Sequence, residues 1–321
     1  MPRPRFFQIW FCLALTGWAL LVTRLVDFSF LAAHWFYPAI MVLGGFVAGI
    51  TPEGGGAVAF PMLSVFFEVE RSMARDFSLM IQSVGMTSAS IFILTRPTTN
   101  IRSFRPLLWY IPVAFAGFVF GMQFLQSLPA YLLQAFFLSL ITTFTVAYLF
   151  SDHRGSETSL PVTEGRLSTV AVLLAGGMCA SLFGTGADIL LYTLLVTRFR
   201  LREKNATQTS IMLMAAISIL GFAYRGMADA PLTTYQFQTW LTAFPVVLVM
   251  APLGALLLYK IPLEWLLRSL VVLNIGQLVY FNLQNLSWEK MAASTIFSIV
   301  LMAAFAVTLD RLALARDKSA S

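Results

Sequence analysis

Two carboxylates stand in otherwise apolar, glycine-dense stretches of this chain: Glu53 within residues 44–63, GGFVAGITPEGGGAVAFPML, and Asp188 within residues 176–195, GGMCASLFGTGADILLYTLL. An ionisable residue set in an apolar run is a functional candidate by default, and a carboxylate there is suited to carrying a proton. The other role open to both is that of a cap whose charge satisfies a helix end. Their neighbours point to a second chemistry, anion binding. Thr51, Pro52 and Glu53 read as N-cap, first position and first-turn acid of a helix that starts inside the apolar region, and Gly54, Gly55 and Gly56 leave its first turn without side chains. Bare amide N–H groups at the positive end of a helix form an anion site. In the second stretch Thr185 is placed to cap, Asp188 follows three residues later as in a capping box, and Gly184 and Gly186 permit close backbone approach. The same glycines would also serve close helix packing, as Gly45-x-x-x-Gly49 allows. A fixed carboxylate repels an anion, so an anionic substrate requires at least one of Glu53 and Asp188 to be protonated during transport or turned away.

Polar residues beyond each stretch are candidates to line the same site: Gln82, Ser83, Thr87 and Ser88 after the first, and Gln208, Thr209 and Ser210 after the second. Hydrogen bonding between helices is an equal alternative for them. Asn274 and Gln277, three apart, share a helix face, with Asn282 further on; Arg225 ends an apolar run, where it either attracts anions or snorkels to the interface. No catalytic set accompanies these residues. His34 and His153 are too few and too far apart for a metal centre, Cys12 and Cys179 lack ligand spacing and imply no disulfide framework, and there is no nucleotide-binding P-loop. Neither an enzyme nor a cofactor is expected.

The elements that must position these residues are membrane helices. Of 321 residues 58% are hydrophobic and only 11% charged, too little polar surface for a soluble domain of this size. The 21 basic against 15 acidic residues fall in short loops between apolar runs rather than on one face, so the excess indicates a bilayer and not nucleic acid. Apolar runs near the roughly 20 residues of a crossing occur at 6–23, 77–95, 107–125, 131–150, 209–224, 237–258, 265–281 and 291–309, which predicts eight spans. Each glycine stretch instead divides into two short halves, 37–51 with 55–67 and 169–183 with 187–199, and reads as a re-entrant hairpin. Charge asymmetry places both termini in the cytoplasm but does not separate a hairpin from two full crossings, since both leave the parity unchanged. At the N-terminus Arg3 and Arg5 precede a long apolar run with no small-x-small cleavage site after Val22, which favours an anchor helix over a signal peptide.

A shift of 132 residues superimposes the two stretches without a gap, pairing Gly44 with Gly176, Gly45 with Gly177, Ala48 with Ala180, Gly54 with Gly186 and Leu63 with Leu195. The match continues through Ala74/Ala206, Ser78/Ser210 and Met80/Met212, and at a shift of 133 through Pro112/Pro245, Gly121/Gly254 and Pro129/Pro262. The expected fold is therefore an all-α integral membrane protein of two repeats. The expected divisions are an N-terminal anchor (1–36), repeat 1 (37–150), a polar cytoplasmic linker (151–168), repeat 2 (169–283) and a C-terminal helix with its tail (284–321). Each repeat would hold a broken hairpin and three spans, an odd number, so the second copy enters the membrane upside down. Inverted repeats built around broken helices place a binding site at the midplane where the copies meet.

The duplicated glycine-rich hairpins, the Pro61-Met62-Leu63 that follows the first, the basic loop and the Ala-x-x-x-Ser run from Ala206 to Ser210 resemble the sulfite exporter TauE/SafE family of membrane transporters. The resemblance spans nearly the whole chain apart from the first helix. It implies a bacterial inner-membrane protein that moves small anions, often sulfite or organosulfonates, driven by ion gradients. Thr51-Pro52-Glu53 in the first copy and Ala187-Asp188 in the second depart from the family's glycine-rich pattern, which bears on substrate more than on fold. The expected function is a secondary transporter exporting or exchanging a small anion by alternating access with proton coupling. Its partners would be that anion and the lipid bilayer, with homo-oligomerisation left open. An anion channel with the hairpins as filter and a non-transporting scaffold are the other two classes.

Overall fold

The computed structural model describes residues 3–149, 166–229, 231–258, 260, 263–284 and 286–320. The polar linker expected at 151–168 lies almost wholly outside the described residues, as does His153. In chain order the helices are α1 (Arg3–Leu25), α2 (Phe28–Ala33), α3 (Phe36–Ile50), α4 (Gly56–Pro61), α5 (Arg71–Thr95), α6 (Leu107–Phe124), α7 (Ala130–Leu149), α8 (Arg166–Phe183), α9 (Ala187–Thr197), α10 (Glu203–Met227), α11 (Thr234–Leu257), α12 (Leu263–Leu283) and α13 (Trp288–Ala320). A sequence this apolar has few side chains to pair with backbone groups, and helices satisfy those groups internally, the requirement for crossing lipid. The chain is all-helical in its regular elements.

Among the described residues seven helices are long and apolar enough to cross a membrane, where eight spans were expected. The eighth expected run is α12, a helix of 21 residues whose apolar stretch Leu267–Leu283 carries Asn274, Gln277 and Asn282. The short helix α2 was not anticipated. The two glycine stretches do break as expected, α3 from α4 and α8 from α9, each half too short to span alone. Pro61 at the end of α4 has no N–H to donate, and the chain widens there into a π-helical turn, Met62–Phe66.

The same local geometry recurs 132 residues later. Phe67 N–H donates to Met62 O (3.1 Å) and Val69 N–H to Leu63 O (2.9 Å); Phe199 N–H donates to Leu194 O (3.3 Å) and Leu201 N–H to Leu195 O (2.9 Å). Glu68 and Arg200, the paired residues in these turns, are the two non-glycine residues with positive φ among those described, at 53° and 50°.

Packing exchanges partners between the two halves. The first helix of each hairpin lies against the second long helix of the other half, α3 on α11 and α8 on α6. Glycines make both contacts close. A β-carbon on Gly254 would lie 3.2 Å from Gly49 Cα, and one on Gly177 would lie 2.7 Å from Phe118 N. Helices α5 and α10 pack against each other between these layers, while α13 runs along α7. α1 attaches at the outside of α5 and α11, where Trp18 Nε1 donates to Leu241 O at 2.7 Å. Large apolar side chains such as Leu13, Leu108, Val272 and Ile299 stay exposed on the outer faces, as contact with lipid requires.

One end of this bundle is tied by buried charge. Asp76 on α5 accepts from Arg75 Nε (2.8 Å), from Arg225 Nε and Nη2 on α10 (3.0 and 2.9 Å) and from Gln236 Nε2 on α11 (2.9 Å). Arg75 Nη1 continues to Gln126 Oε1 at 2.6 Å, and Arg225 also pairs with Asp229. Arg225 was expected to attract anions or snorkel; Asp76 instead holds it inside the bundle, a pairing of residues 149 positions apart that spacing alone does not reveal.

Candidate functional site

The first break differs from its expected form. Thr51 ends α3 rather than starting α4, in an extended conformation (φ −126°, ψ 159°) that its side chain stabilises. Thr51 Oγ1 donates to Val47 O at 3.0 Å, one turn back, and accepts from Glu53 N at 3.2 Å. α4 begins only at Gly56, so Pro52 and Glu53 belong to the connection and Glu53 is not a first-turn acid. Its carboxylate turns away to α7 and α12. Thr145 Oγ1 donates to Oε1, and Asn274 Nδ2 lies 3.3 Å from Oε1 and 3.1 Å from Oε2.

At the second break the cap is Gly186, with φ 112°, and the acid does what Thr185 was expected to do. Asp188 Oδ1 accepts from Gly186 N (3.0 Å) and Ile189 N (3.1 Å) and faces Thr185 Oγ1 at 3.4 Å. A left-handed Gly186 lets the chain fold back so that the carboxylate two residues on meets its amide. The amides of this helix end are thus partly taken by the protein's own acid.

The two breaks meet. Thr185 Oγ1 donates to Glu53 O at 3.3 Å. Gln82 on α5 lies between them, its Nε2 donating to Gly184 O (2.6 Å) and Ser78 O (3.2 Å). A β-carbon on Gly56 would lie 2.6 Å from Thr185 Cβ and 2.7 Å from Gln82 Nε2, and one on Gly54 (φ 71°) would overlap Asp188 Oδ2 and lie 2.8 Å from Gln82 Oε1. Glycine is required at Gly54 both for its left-handed backbone and for this approach. Glu53, Gly54, Gly56, Gln82, Gly184, Thr185 and Asp188 are therefore brought together. Gly55 and Gly186 face their own hairpins, the one against Gly44 and Ala48, the other against Cys179.

Three of the other candidates bond back to their own helix, and Ser88 bonds across to α11. Ser83 Oγ donates to Met80 O (2.7 Å), Ser88 Oγ to Leu248 O (3.2 Å), Thr209 Oγ1 to Asn205 O (2.7 Å) and Ser210 Oγ to Thr207 O (3.0 Å). Gln208 is buried on α10. Thr145 and Ser78 were missed. For Thr145 a signal existed, since Thr142 and Thr145 are three apart on one face of an apolar run, as Asn274 and Gln277 are on α12.

Glu53 and Asp188 are 1% and 0% exposed and, among the described residues, have no ion-pair partner; Arg75 and Arg225 pair with Asp76, and Arg225 with Asp229. Several buried polar atoms around them lack hydrogen-bond partners: Gln82 Oε1, Asp188 Oδ2, Asn274 Oδ1, and both amide atoms of Gln277. An unsatisfied buried polar group costs about 1–3 kcal/mol, so these atoms are open to a further polar partner. Four of these five atoms are oxygens, which accept, and Gln277 Nε2 is the free donor among them.

The model of the sulfite exporter TauE/SafE family matches residues 37–281, more than half of the chain. The chain belongs to this family. Members are membrane transporters, and the family implies sulfite or a related anion as cargo. Together with the apolar helices this makes the TauE/SafE chain a multi-pass membrane protein. The matched region opens one residue inside α3 and closes in α12, so it contains both breaks and every site residue named above, and leaves α1, α2 and α13 outside. Neither a curated protein nor a solved structure matches the chain.

Proposed function

We propose that this TauE/SafE protein is a secondary transporter that exports or exchanges a small anion, sulfite or an organosulfonate, by alternating access coupled to protons. The observation that carries this reading is the meeting of the two broken segments, with Thr185 donating to Glu53 O and Gln82 bridging to Gly184 O. Broken helices that converge in the bilayer are the sites at which secondary transporters hold substrate and coupling ion. The substrate would lie against Thr51, Gly54, Gly55, Gly56, Gln82, Ser83, Gly184, Thr185, Gly186 and Gln208, with Gln277 as a further amide donor. One of the two buried carboxylates, Glu53 or Asp188, would carry the proton. The recurrence of turns and contacts at 132 residues supports two repeats, and the odd number of long helices in each supports their inversion about the midplane. The distribution of Lys and Arg supports cytoplasmic termini, and the family supports a bacterial inner membrane.

The test is flux in liposomes containing the full chain, screened over radiolabelled sulfite, sulfate, thiosulfate, sulfonates and carboxylates. Saturable uptake of sulfite or a sulfonate that responds to a pH gradient is the expected result. Conductance that does not saturate and follows voltage alone would establish a channel instead, and no flux of any of these anions would leave a scaffold.

A further inference from the structure

Gln82 and Asp188 turn like atoms toward each other. The orientation of the Gln82 amide is set by its nitrogen, which reaches two backbone carbonyls, Gly184 O at 2.6 Å and Ser78 O at 3.2 Å. Of the two amide atoms only the nitrogen can donate to a carbonyl, so Oε1 is left pointing the other way, and there it is buried with no donor. Asp188 is set likewise. Its Oδ1 takes the amides of Gly186 and Ile189, and Oδ2 is buried with no donor. Both free oxygens border the face of Gly54 from which a side chain would project. Two acceptors that border one face of Gly54, with no basic side chain paired to either among the described residues, repel unless a positive charge lies between them.

We infer that Asp188 is the proton carrier of this transporter, protonated at Oδ2 in the conformation seen here and donating that proton to Gln82 Oε1. The inference rests on the proton-coupled reading above and narrows it to one of its two carboxylates. Glu53 is set differently: Asn274 Nδ2 faces both of its oxygens, at 3.3 and 3.1 Å, whereas Asp188 Oδ2 faces no donor. A proton fits the gap better than a metal cation, because two free oxygens suffice for an O–H···O bond but fall well short of the six or so oxygens a hard cation gathers. Gly54 completes the arrangement, since any side chain there would part the two oxygens. In the transport cycle the O–H bond of Asp188 breaks to water on one side of the membrane and re-forms from water on the other; no other bond changes. The titratable groups that face Asp188 from neighbouring segments are Glu53 in the first break and Cys179 on α8.

The full chain in liposomes decides this by difference infrared spectroscopy of the protonated carboxyl, recorded in light and heavy water. A carboxyl carbonyl band that shifts in heavy water, vanishes in Asp188→Asn and persists in Glu53→Gln is expected. Gln82→Met, which removes the acceptor, should move that band to higher wavenumber. Asp188→Asn places an N–H donor where the acid proton was, so its melting temperature should equal or exceed the parent's, whereas sulfite flux driven by a pH gradient should be lost. Absence of the band, its survival in Asp188→Asn, or its loss in Glu53→Gln would overturn the assignment. So would stabilisation by sodium over choline chloride that the parent shows and Asp188→Asn lacks. Failure of the parent to move sulfite would count against the proposed substrate alone, because the infrared result does not depend on flux.

Discussion

Asn274 holds its amide nitrogen 3.1 Å from Glu53 Oε2, fastening the first break to a helix 221 positions along the chain. Replacing Asn274 by leucine removes a donor from a buried carboxylate and should lower stability by about 1–3 kcal/mol in denaturant titration of the detergent-solubilised protein. Adding Glu53→Leu should recover part of that loss, since both partners of the bond are then gone. Strictly additive losses would show that the two side chains are not coupled.

Gly54→Ala should abolish anion flux. The added methyl group meets Asp188 Oδ2 and Gln82 Oε1, and the residue must hold a positive φ as well. Gly186→Leu, at φ 112° against Cys179, should do the same. The control is Gly276→Ala in α12, where a β-carbon meets nothing within 4 Å; it should retain flux and gain about 0.5–1 kcal/mol of stability. Equal flux from the parent and the Gly54 variant would remove this glycine from the site.

Asp76→Asn should be among the most damaging single substitutions at the charged end of the bundle. It leaves Arg75 and Arg225 without their shared anion in a buried setting, with an expected loss of about 3–5 kcal/mol. Thermal unfolding followed by tryptophan fluorescence measures it. Arg225→Lys should also destabilise, because a single ammonium cannot reproduce the two bonds, from Nε and Nη2, that Arg225 makes to Asp76.

Glu53→Gln should transport more slowly than the parent yet keep the same response to an imposed pH gradient. Rates measured in liposomes at several internal and external pH values test this. A gradient response that disappears in Glu53→Gln and survives in Asp188→Asn would reverse the roles given to the two acids.

The broken segments, their pairing at 132 residues and the helical, membrane-embedded character were legible because each is a local pattern: glycine density, apolar length and self-similarity. The details of the breaks were not. Thr51 and Thr185 had the right identity for N-caps, but Thr51 closes the preceding helix and Thr185 reaches across to Glu53 O, a contact that exists only once the two halves are packed. The partners of Glu53 lie 92 and 221 positions away on α7 and α12, and periodicity can name a polar face on each helix without saying which faces meet. Arg225 was misread for the same reason, since its anion comes from another helix.

The exchange of first helices between the halves governs how the protein can be made. The glycine face of α3 closes against α11, which leaves the ribosome only after about 200 further residues, on the order of 10–40 s later at typical elongation rates. α8, by contrast, finds α6 already synthesised. The first-made hairpin is therefore the later of the two to find its seat, and during synthesis its glycine face is a surface for an insertase or membrane chaperone to cover.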